Sequence, residues 1–289
     1  MKKIKIFIAL GLLSSIAINC KNDDNKPVTF PIRDYSTQYN NEKIEIEEYL
    51  NTHYLQGVGI EAVVNKIPEG GTQTPLSQHP DLAYKIVNKH NIEYKLYYIP
   101  FNQGINQKPS TVDSVFVSYK GSKLDGTVFD YATNPMWLKL DEVIEGWTQM
   151  IPMFKTGNYN TTTSSFQDFG SMLLIIPSGL GYYNNPPSGS NVGSYSTLVF
   201  TVNLNTLRYR DHDKDGILSH LEVENIGDDP REYNTDGDAL KNYMDIDDDN
   251  DSKITKFEIT DGNGNIYPFE HIPTCPNGSL KKHLDPNCQ

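Results

Sequence analysis

Residues 114–121 read Ser-Val-Phe-Val-Ser-Tyr-Lys-Gly, and residues 125–130 read Asp-Gly-Thr-Val-Phe-Asp. In the first stretch, two valines and a tyrosine alternate with serine and phenylalanine, which is the period of a β-strand. A turn between Gly121 and Gly126 leads into a second extended segment. This part of the chain therefore predicts two consecutive strands.

The surrounding sequence repeats the strand signal and adds one short helix. Period-two alternation recurs at 94–98 and 197–204, and residues 171–176 form a further strand candidate. Residues 143–154 are apolar enough for a helix, and Pro152 must lie near its end. Because strands dominate, the pattern predicts an α+β domain with an antiparallel sheet packed on one helix.

Further segments join the two opening stretches in resembling the FKBP-type peptidyl-prolyl cis-trans isomerases. Residues 143–147 read Val-Ile-Glu-Gly-Trp, residues 176–182 read Ile-Pro-Ser-Gly-Leu-Gly-Tyr, and residues 197–200 read Thr-Leu-Val-Phe. These segments follow the family's order over roughly 93–207. The resemblance implies a half-curled antiparallel sheet wrapped on one short helix, with an aromatic pocket between them.

The resemblance also implies which residues form that pocket. They are Tyr119, Phe129, Asp130, Val143, Ile144, Trp147, Tyr182 and Phe200. Trp147 would form the floor, Tyr182 and the Ile144 backbone N–H would bind substrate carbonyl oxygens, and Asp130 would orient the pocket. The partners would be proline-containing polypeptides, and catalysis would need no cofactor. Aromatic residues at alternating strand positions are also common in ordinary cores, so a purely structural role stays open.

Three features depart from the family pattern. The polar loop at 158–168 is long, Tyr183 stands where the family commonly has glycine, and the flap at 184–194 has no apolar tip residue other than Val192. These departures leave open a second function, in which the pocket binds proline-containing segments without turnover.

The net charge of -12 is concentrated at the C-terminal end of the chain. Residues 208–289 contain 9 basic and 19 acidic residues, a net charge of -10. Such a balance excludes a nucleic-acid partner, because phosphate binding needs clustered Lys and Arg. It predicts either a solvated acidic tail or a cation site.

The spacing of the acids favours cation sites. Residues 211–222 match the EF-hand loop, with carboxylates at positions 1, 3, 5 and 12, glycine at position 6 and a backbone carbonyl from Ile217. The expected ligands of this loop are Asp211, Asp213, Asp215, Ile217 and Glu222. Those of a second loop are Asp247, Asp249, Asp251, Lys253 through its carbonyl, and Glu258, with Ser252 in place of the turn glycine. The expected cofactor is structural Ca²⁺.

The residues between the two loops resemble thrombospondin type-3 or dockerin-like calcium repeats. Asp236, Asp238 and Asp245 either complete one of these sites or add another.

The first residues predict export. A basic start at 1–5 precedes an apolar run at 6–18, which is typical of a signal peptide. Cys20 resembles the acylated cysteine of a bacterial lipoprotein, and the acidic residues after it resemble export signals of Bacteroidetes lipoproteins. A plain secretory signal is the alternative. We expect a cell-envelope lipoprotein attached to the membrane through lipid.

Cys275 and Cys288 remain as a pair. In an oxidising compartment they are expected to form one disulfide. Two free thiols, or metal binding with His271 and His283, are less consistent with the compartment and the spacing.

These inferences divide the chain into five parts. They are a signal peptide at 1–19, a tether at 20–40, an N-terminal helical and irregular extension at 41–92, an isomerase domain at 93–207 and an acidic calcium-repeat region at 208–289. Within the extension, residues 42–56 have the period of a helix.

Overall fold

The computed structural model describes residues 31–276 and 278–288. The expected signal peptide at 1–19, the lipid attachment at Cys20 and residues 21–30 of the tether therefore lie outside the described residues. Residues Arg33–Gln289 form one compact unit. Within the described ranges, no helix combines the length and the apolar character needed to cross a bilayer.

The unit contains three helices and ten strands in the described ranges. The helices are α1 (Tyr35–Thr52), α2 (Glu145–Met150) and α3 (Thr255–Glu258). The strands are β1 (His53–Gln56), β2 (Val63–Lys66), β3 (Ala83–Lys89), β4 (Ile92–Asn102), β5 (Ser114–Lys123), β6 (Val128–Lys139), β7 (Asn158–Asn160), β8 (Ser165–Gln167), β9 (Gly170–Ile176) and β10 (Leu198–Arg208).

Six strands form one antiparallel sheet in the order β3-β4-β9-β10-β5-β6. The opening stretch of the sequence forms β5 and the start of β6, which pair in consecutive order as expected. The α+β fold class with an antiparallel sheet is confirmed.

The central strand β9 is buried along its whole length. Met172 and Leu174 face the core that contains α2, whereas Leu173 and Ile175 face the core that contains α1. Burial on both faces explains why this strand is a continuous apolar run and not an alternating one. The sheet therefore packs on the short helix α2 as expected, and α1 covers its other face, which the sequence left open.

The N-terminal boundaries also differ from the expected ones. The first helix begins at Tyr35 and not at residue 42, because Asp34 caps it by accepting a hydrogen bond from the Thr37 N–H at 2.9 Å. It ends at Thr52, and the chain continues as β1. The last residues of the expected tether thus belong to α1, and the expected extension supplies the edge strand β3.

Other boundaries are closer to expectation. The helix expected over 143–154 is the short α2 followed by a 3₁₀ turn at Ile151–Met153. The loop expected at 158–168 contains the small hairpin β7–β8, and so is not fully irregular.

A buried carboxylate connects α1 to the segment before Tyr182. Glu42 is 1% exposed and accepts hydrogen bonds from the Ser178 N–H at 3.0 Å, the Ser178 hydroxyl and the Gln38 amide at 2.7 Å. Burial raises the pKa of Glu42, and these hydrogen bonds oppose the shift. The helix therefore fixes the backbone that leads into Tyr182.

We predict that Glu42→Ala lowers the free energy of unfolding by about 3 kcal/mol, because it leaves buried donors on Ser178 unsatisfied at about 1–3 kcal/mol each. Urea unfolding measures this change. Glu47→Ala, at an exposed position of the same helix, should change it by less than about 0.5 kcal/mol. Equal effects of the two substitutions would contradict the assigned role of Glu42.

Candidate functional site

A cavity of about 630 Å³ opens between α2, the sheet and the segment that follows β9. Seven of the eight pocket residues expected from the resemblance line it: Tyr119, Asp130, Val143, Ile144, Trp147, Tyr182 and Phe200. The eighth, Phe129, lies behind the cavity wall, where its ring packs edge-on against Phe200 with centroids 5.5 Å apart. The structure therefore brings the expected set together.

Trp147 forms the floor of the cavity. The indole is 2% exposed and lies nearly perpendicular to Tyr119 and to Phe200, at centroid distances of 5.1 and 5.2 Å. Its Nε1–H is buried without a hydrogen-bond partner in the described part of the chain. Packing against aromatic and aliphatic core residues therefore holds the ring, with no hydrogen bond from its Nε1–H.

Glycine at position 121 makes this aromatic packing possible. A Cβ atom at Gly121 would lie 2.6 Å from Phe200 Cε1 and 2.8 Å from Phe129 Cζ. Both distances are shorter than any tolerated carbon contact, so a side chain here would push the two rings apart. The glycine in the opening sequence stretch is thus part of the pocket wall.

Among the expected residues that line the cavity, the polar side chains are the phenols of Tyr119 and Tyr182 and the carboxylate of Asp130. The Tyr119 hydroxyl donates a hydrogen bond to Asp130 Oδ2 at 2.8 Å. Burial raises the pKa of Tyr119, and the hydrogen bond to Asp130 raises it further. Burial and the charge of Asp130 also raise the pKa of Tyr182. Both phenols are therefore protonated donors at neutral pH.

Ile144 is the N-cap residue of α2. Its carbonyl accepts a hydrogen bond from the Trp147 N–H at 2.9 Å, while its own N–H precedes the helical hydrogen-bond ladder. The residue thus brings a backbone donor to the cavity next to the indole floor.

An aromatic stack that sequence reasoning missed forms one rim of the cavity. The Tyr35 ring stacks on His90 at 3.7 Å and on Tyr183 at 4.0 Å, and all three residues line the cavity. The Tyr183 hydroxyl donates a hydrogen bond to the Arg33 carbonyl at 2.6 Å. No periodic signal connected these residues, because Tyr35 and His90 lie in segments assigned to the tether and the extension.

Tyr183 adopts a left-handed backbone conformation with φ +51°. Glycine adopts this conformation without strain, which explains why it suits this position. Here the stack and the hydrogen bond to Arg33 hold a tyrosine in the same conformation.

Val192, the apolar residue of the flap, is 6% exposed and packs into the core.

The C-terminal region contacts a charged residue that lines the cavity. Glu145, the first residue of α2, accepts hydrogen bonds from Lys89 at 2.5 Å, Gln149 at 2.9 Å and Arg231 at 3.1 Å. Burial alone would raise the pKa of Glu145, but these hydrogen bonds outweigh it and lower the pKa to about 2. Arg231 also pairs with Asp229 at 2.8 Å.

We predict that Arg231→Met reduces the free energy of unfolding more at pH 6 than at pH 2.5. The depressed pKa of Glu145 contributes stability above its ordinary value of 4.5 and loses it as the pH falls toward 2. Removing the arginine diminishes that contribution. The difference in the free energy of unfolding between wild type and Arg231→Met should therefore be smaller at pH 2.5 than at pH 6, by about 1 kcal/mol. Urea unfolding at both pH values tests this, with the exposed Lys66→Met as control. A pH-independent difference would contradict it.

The acidic region folds into loops that gather carboxylates. Oxygens of Asp211, Asp213 and Asp215 lie within 4.8 Å of one another, as do those of Asp247, Asp249 and Asp251. Two further clusters of the same kind are Asp236 with Asp238 and Asp245, and Asp215 with Glu222 and Asp248. Sequence reasoning did not assign Asp248 a role.

The two expected loops share a backbone pattern. The Ile217 N–H donates to Asp215 Oδ1 at 2.7 Å, and the Lys253 N–H donates to Asp251 Oδ1 at 2.8 Å. Gly216, at the turn position of the first loop, has φ +110°. Ser252, its counterpart in the second loop, also has positive φ, at +78°. The second loop thus makes the same turn without glycine.

Several carboxylates of these loops are buried without partners. Glu222 is 4% exposed and Glu258 is 3% exposed, and unpaired oxygens of both are buried in the described structure. Burial and neighbouring carboxylates raise the pKa of Asp213 to about 8, that of Glu222 to about 10 and that of Glu258 to about 7. Buried like charges of this density are costly unless a cation compensates them, so these residues fit a hard, oxygen-binding cation.

The remaining expected contact of this region is the disulfide. The structure joins Cys275 to Cys288, with Cα atoms 5.7 Å apart. The bond closes the last loop of the chain beside a small apolar core of Ile217, Ile259 and Ile272.

Comparison with known proteins gives two family matches. Residues 106–205 match the family described as FKBP-type peptidyl-prolyl cis-trans isomerase. Residues 211–282 match the family described as BamM C-terminal.

Several curated proteins resemble part of the chain. A probable FKBP-type peptidyl-prolyl cis-trans isomerase, FkpA, of Neisseria meningitidis is 35% identical over 112 residues, which cover 38% of this chain and 36% of the relative. The outer membrane protein MIP of Legionella longbeachae is 30% identical over 123 residues, covering 41% and 45%. The 22 kDa FKBP-type isomerase of Escherichia coli is 30% identical over 118 residues, covering 40% and 51%. The matched region thus spans about half or less of each of these relatives.

Two solved structures are also similar. The crystal structure of FkpA from Escherichia coli aligns with a TM-score of 0.39 and 24% identity, covering 60% of this chain and 62% of that one. A peptidyl-prolyl cis-trans isomerase from Pseudomonas syringae aligns with a TM-score of 0.36 and 26% identity, covering 45% and 84%. The family match at residues 106–205 and the curated relatives agree with the lining of the cavity, and this part of the chain is similar to the FKBP-type peptidyl-prolyl cis-trans isomerases.

Proposed function

We propose that this protein catalyses cis–trans isomerisation of Xaa-Pro bonds in exported or surface proteins and thereby assists their folding. The observation that carries the proposal is the cavity floored by Trp147, in which seven of the eight residues implied by the family resemblance meet. The FKBP-type relatives support the same reaction.

The chemistry of prolyl isomerisation suits a pocket of this kind. Amide resonance imposes a barrier of about 18–20 kcal/mol to rotation of the peptide bond. No covalent bond breaks, so the site needs no nucleophile. An apolar cleft that excludes water binds the twisted amide better than the planar one, and this difference lowers the barrier.

The aromatic rings and the polar groups of the expected set have separate roles in this mechanism. The Trp147 floor and the ring of Phe200 receive the proline ring. The Tyr182 hydroxyl and the Ile144 N–H donate hydrogen bonds to substrate carbonyl oxygens. Asp130 accepts the hydrogen bond of Tyr119, which fixes that phenol at the wall.

We predict that the wild-type protein accelerates isomerisation of a Xaa-Pro peptide and that Tyr182→Phe slows the reaction about fivefold, since one lost hydrogen bond is worth about 1 kcal/mol. Asp130→Val should also slow it, because it frees the Tyr119 hydroxyl. A protease-coupled assay or NMR exchange measures both. Tyr159→Phe, on the exposed hairpin β7–β8, should leave the rate unchanged, and an inactive wild-type protein would reject the proposal.

A second candidate function is binding of proline-containing segments without turnover. The stack of Tyr35, His90 and Tyr183 favours it, because this rim changes how a peptide enters the cavity. Peptide binding followed by the fluorescence of Trp147, in the absence of any rate acceleration, is the result that distinguishes this candidate from the enzyme.

We further propose that the protein works in the cell envelope, attached to the membrane by lipid on Cys20. The support is the signal-like sequence at 1–19 and the name of one relative, an outer membrane protein. The expected disulfide between Cys275 and Cys288 suits an oxidising compartment.

The acidic region is proposed to bind structural Ca²⁺ through its two expected loops, or to use those loops as a calcium-dependent interaction site. The buried, unpaired carboxylate oxygens of Asp215, Glu222 and Asp249 support cation binding. When bound, the ions would supply the positive charge that these groups lack. Millimolar extracellular Ca²⁺ makes even weak sites sufficient.

We predict that millimolar Ca²⁺ raises the melting temperature relative to EDTA, because a ligand at 100 times its Kd stabilises by about 2.7 kcal/mol. Glu222→Gln should diminish the shift. Glu224→Gln, at an exposed position two residues further on, should leave the shift in melting temperature unchanged. Differential scanning calorimetry measures the shift, and its absence in the wild-type protein would refute the calcium proposal.

A further inference from the structure

We infer that Asp248, a residue of the second loop, is a ligand of the cation bound by the first loop, so that the two loops bind their ions cooperatively. The inference rests on the proposed calcium binding and goes beyond it, because the loop spacing assigns no ligand role to Asp248. It concerns one hard divalent cation beside Asp215.

Proximity is the first reason. Asp215, Glu222 and Asp248 each place a carboxylate oxygen within 4.8 Å of the other two. Asp215 also belongs to the cluster with Asp211 and Asp213. One cation next to Asp215 can therefore be reached both by the first loop and by Asp248 from the second.

The lack of partners is the second reason. Asp248 is 2% exposed, and both of its carboxylate oxygens are buried without a hydrogen bond in the described part of the chain. Both oxygens of Glu222 and Oδ2 of Asp215 are also buried without a hydrogen bond in the described residues. A buried carboxylate that lacks a partner is costly. Three of them facing one another have the arrangement of a coordination site, which compensates their charge with a cation.

The backbone of Asp248 is held by its own loop. Its N–H donates to Thr255 Oγ1 at 3.1 Å, and the Thr255 N–H donates to the Ile246 carbonyl at 2.9 Å. Asp247 and Asp249, its neighbours on either side, belong to the cluster of the second loop. A cation in the second loop would therefore fix the chain on both sides of Asp248. It would thereby position the Asp248 carboxylate at the cation site of the first loop.

Cooperativity follows from this arrangement. If a cation in the second loop already orders Asp248, the cation of the first loop binds more tightly, because its binding no longer includes the entropic cost of ordering that residue. By linkage, the first cation must then favour the second by the same factor.

Calorimetric titration of the full protein with Ca²⁺ tests the assignment in two backgrounds. In Glu258→Gln, which weakens the second loop, adding Asp248→Asn should lower the remaining first-loop affinity severalfold, and by a smaller factor than in the otherwise wild-type protein, because the weakened second loop no longer orders Asp248. In Glu222→Gln, which weakens the first loop, adding Asp248→Asn should change the second-loop affinity less than twofold. The cluster of Asp236 with Asp238 and Asp245 is not substituted in any of these variants. Any Ca²⁺ that it binds is therefore expected to add the same signal to each titration.

The outcomes separate the two proposals. If wild type binds Ca²⁺ but Asp248→Asn acts only in the Glu222→Gln background, or in neither, the cross-loop assignment is overturned while calcium binding stands. No binding by wild type overturns both. The melting temperature in EDTA checks folding: Asp248→Asn should match or exceed wild type there, since it removes a buried negative charge, and a large decrease would indicate a structural role instead.

Discussion

The burial of β9 on both of its faces is the constraint on which the rest of the structure depends. Its side chains alternate between the core of α2 and the core of α1, so neither helix can move away without exposing apolar surface. The helix α2 carries Trp147, and α1 carries Glu42, which holds the backbone before Tyr182. The packing that stabilises the sheet therefore also sets the distance between the floor and the far wall of the cavity.

Charge is distributed around this cavity in a way that suits the proposed reaction. The floor and walls are aromatic, and the phenols of Tyr119 and Tyr182 remain neutral, which favours a twisted and less polar amide. Charged groups lie at the rim, where Glu145 is paired with Lys89 and Arg231. Arg231 belongs to the acidic region, so this region stabilises the start of the helix that carries the floor.

The C-terminal region is stabilised in a different way. Its apolar cluster consists of Ile217, Ile259 and Ile272 with a few partly buried neighbours. A core of this size is too small to order a long, strongly negative segment by itself. A disulfide, ion pairs to the sheet domain and, in our proposal, bound cations supply the remaining stabilisation.

The sequence by itself determined the fold class, seven of the residues that line the cavity and the spacing of the acidic loops, because each depends on local pattern or on a resemblance between short segments. It did not determine the boundaries of α1, the second helical layer, or the stack of Tyr35, His90 and Tyr183. Only the tertiary structure decided these features, since they join residues that are far apart in the chain and have no shared periodicity. Asp248 illustrates the same limit: its position in the second loop is local, but its three-dimensional neighbours Asp215 and Glu222 come from the first.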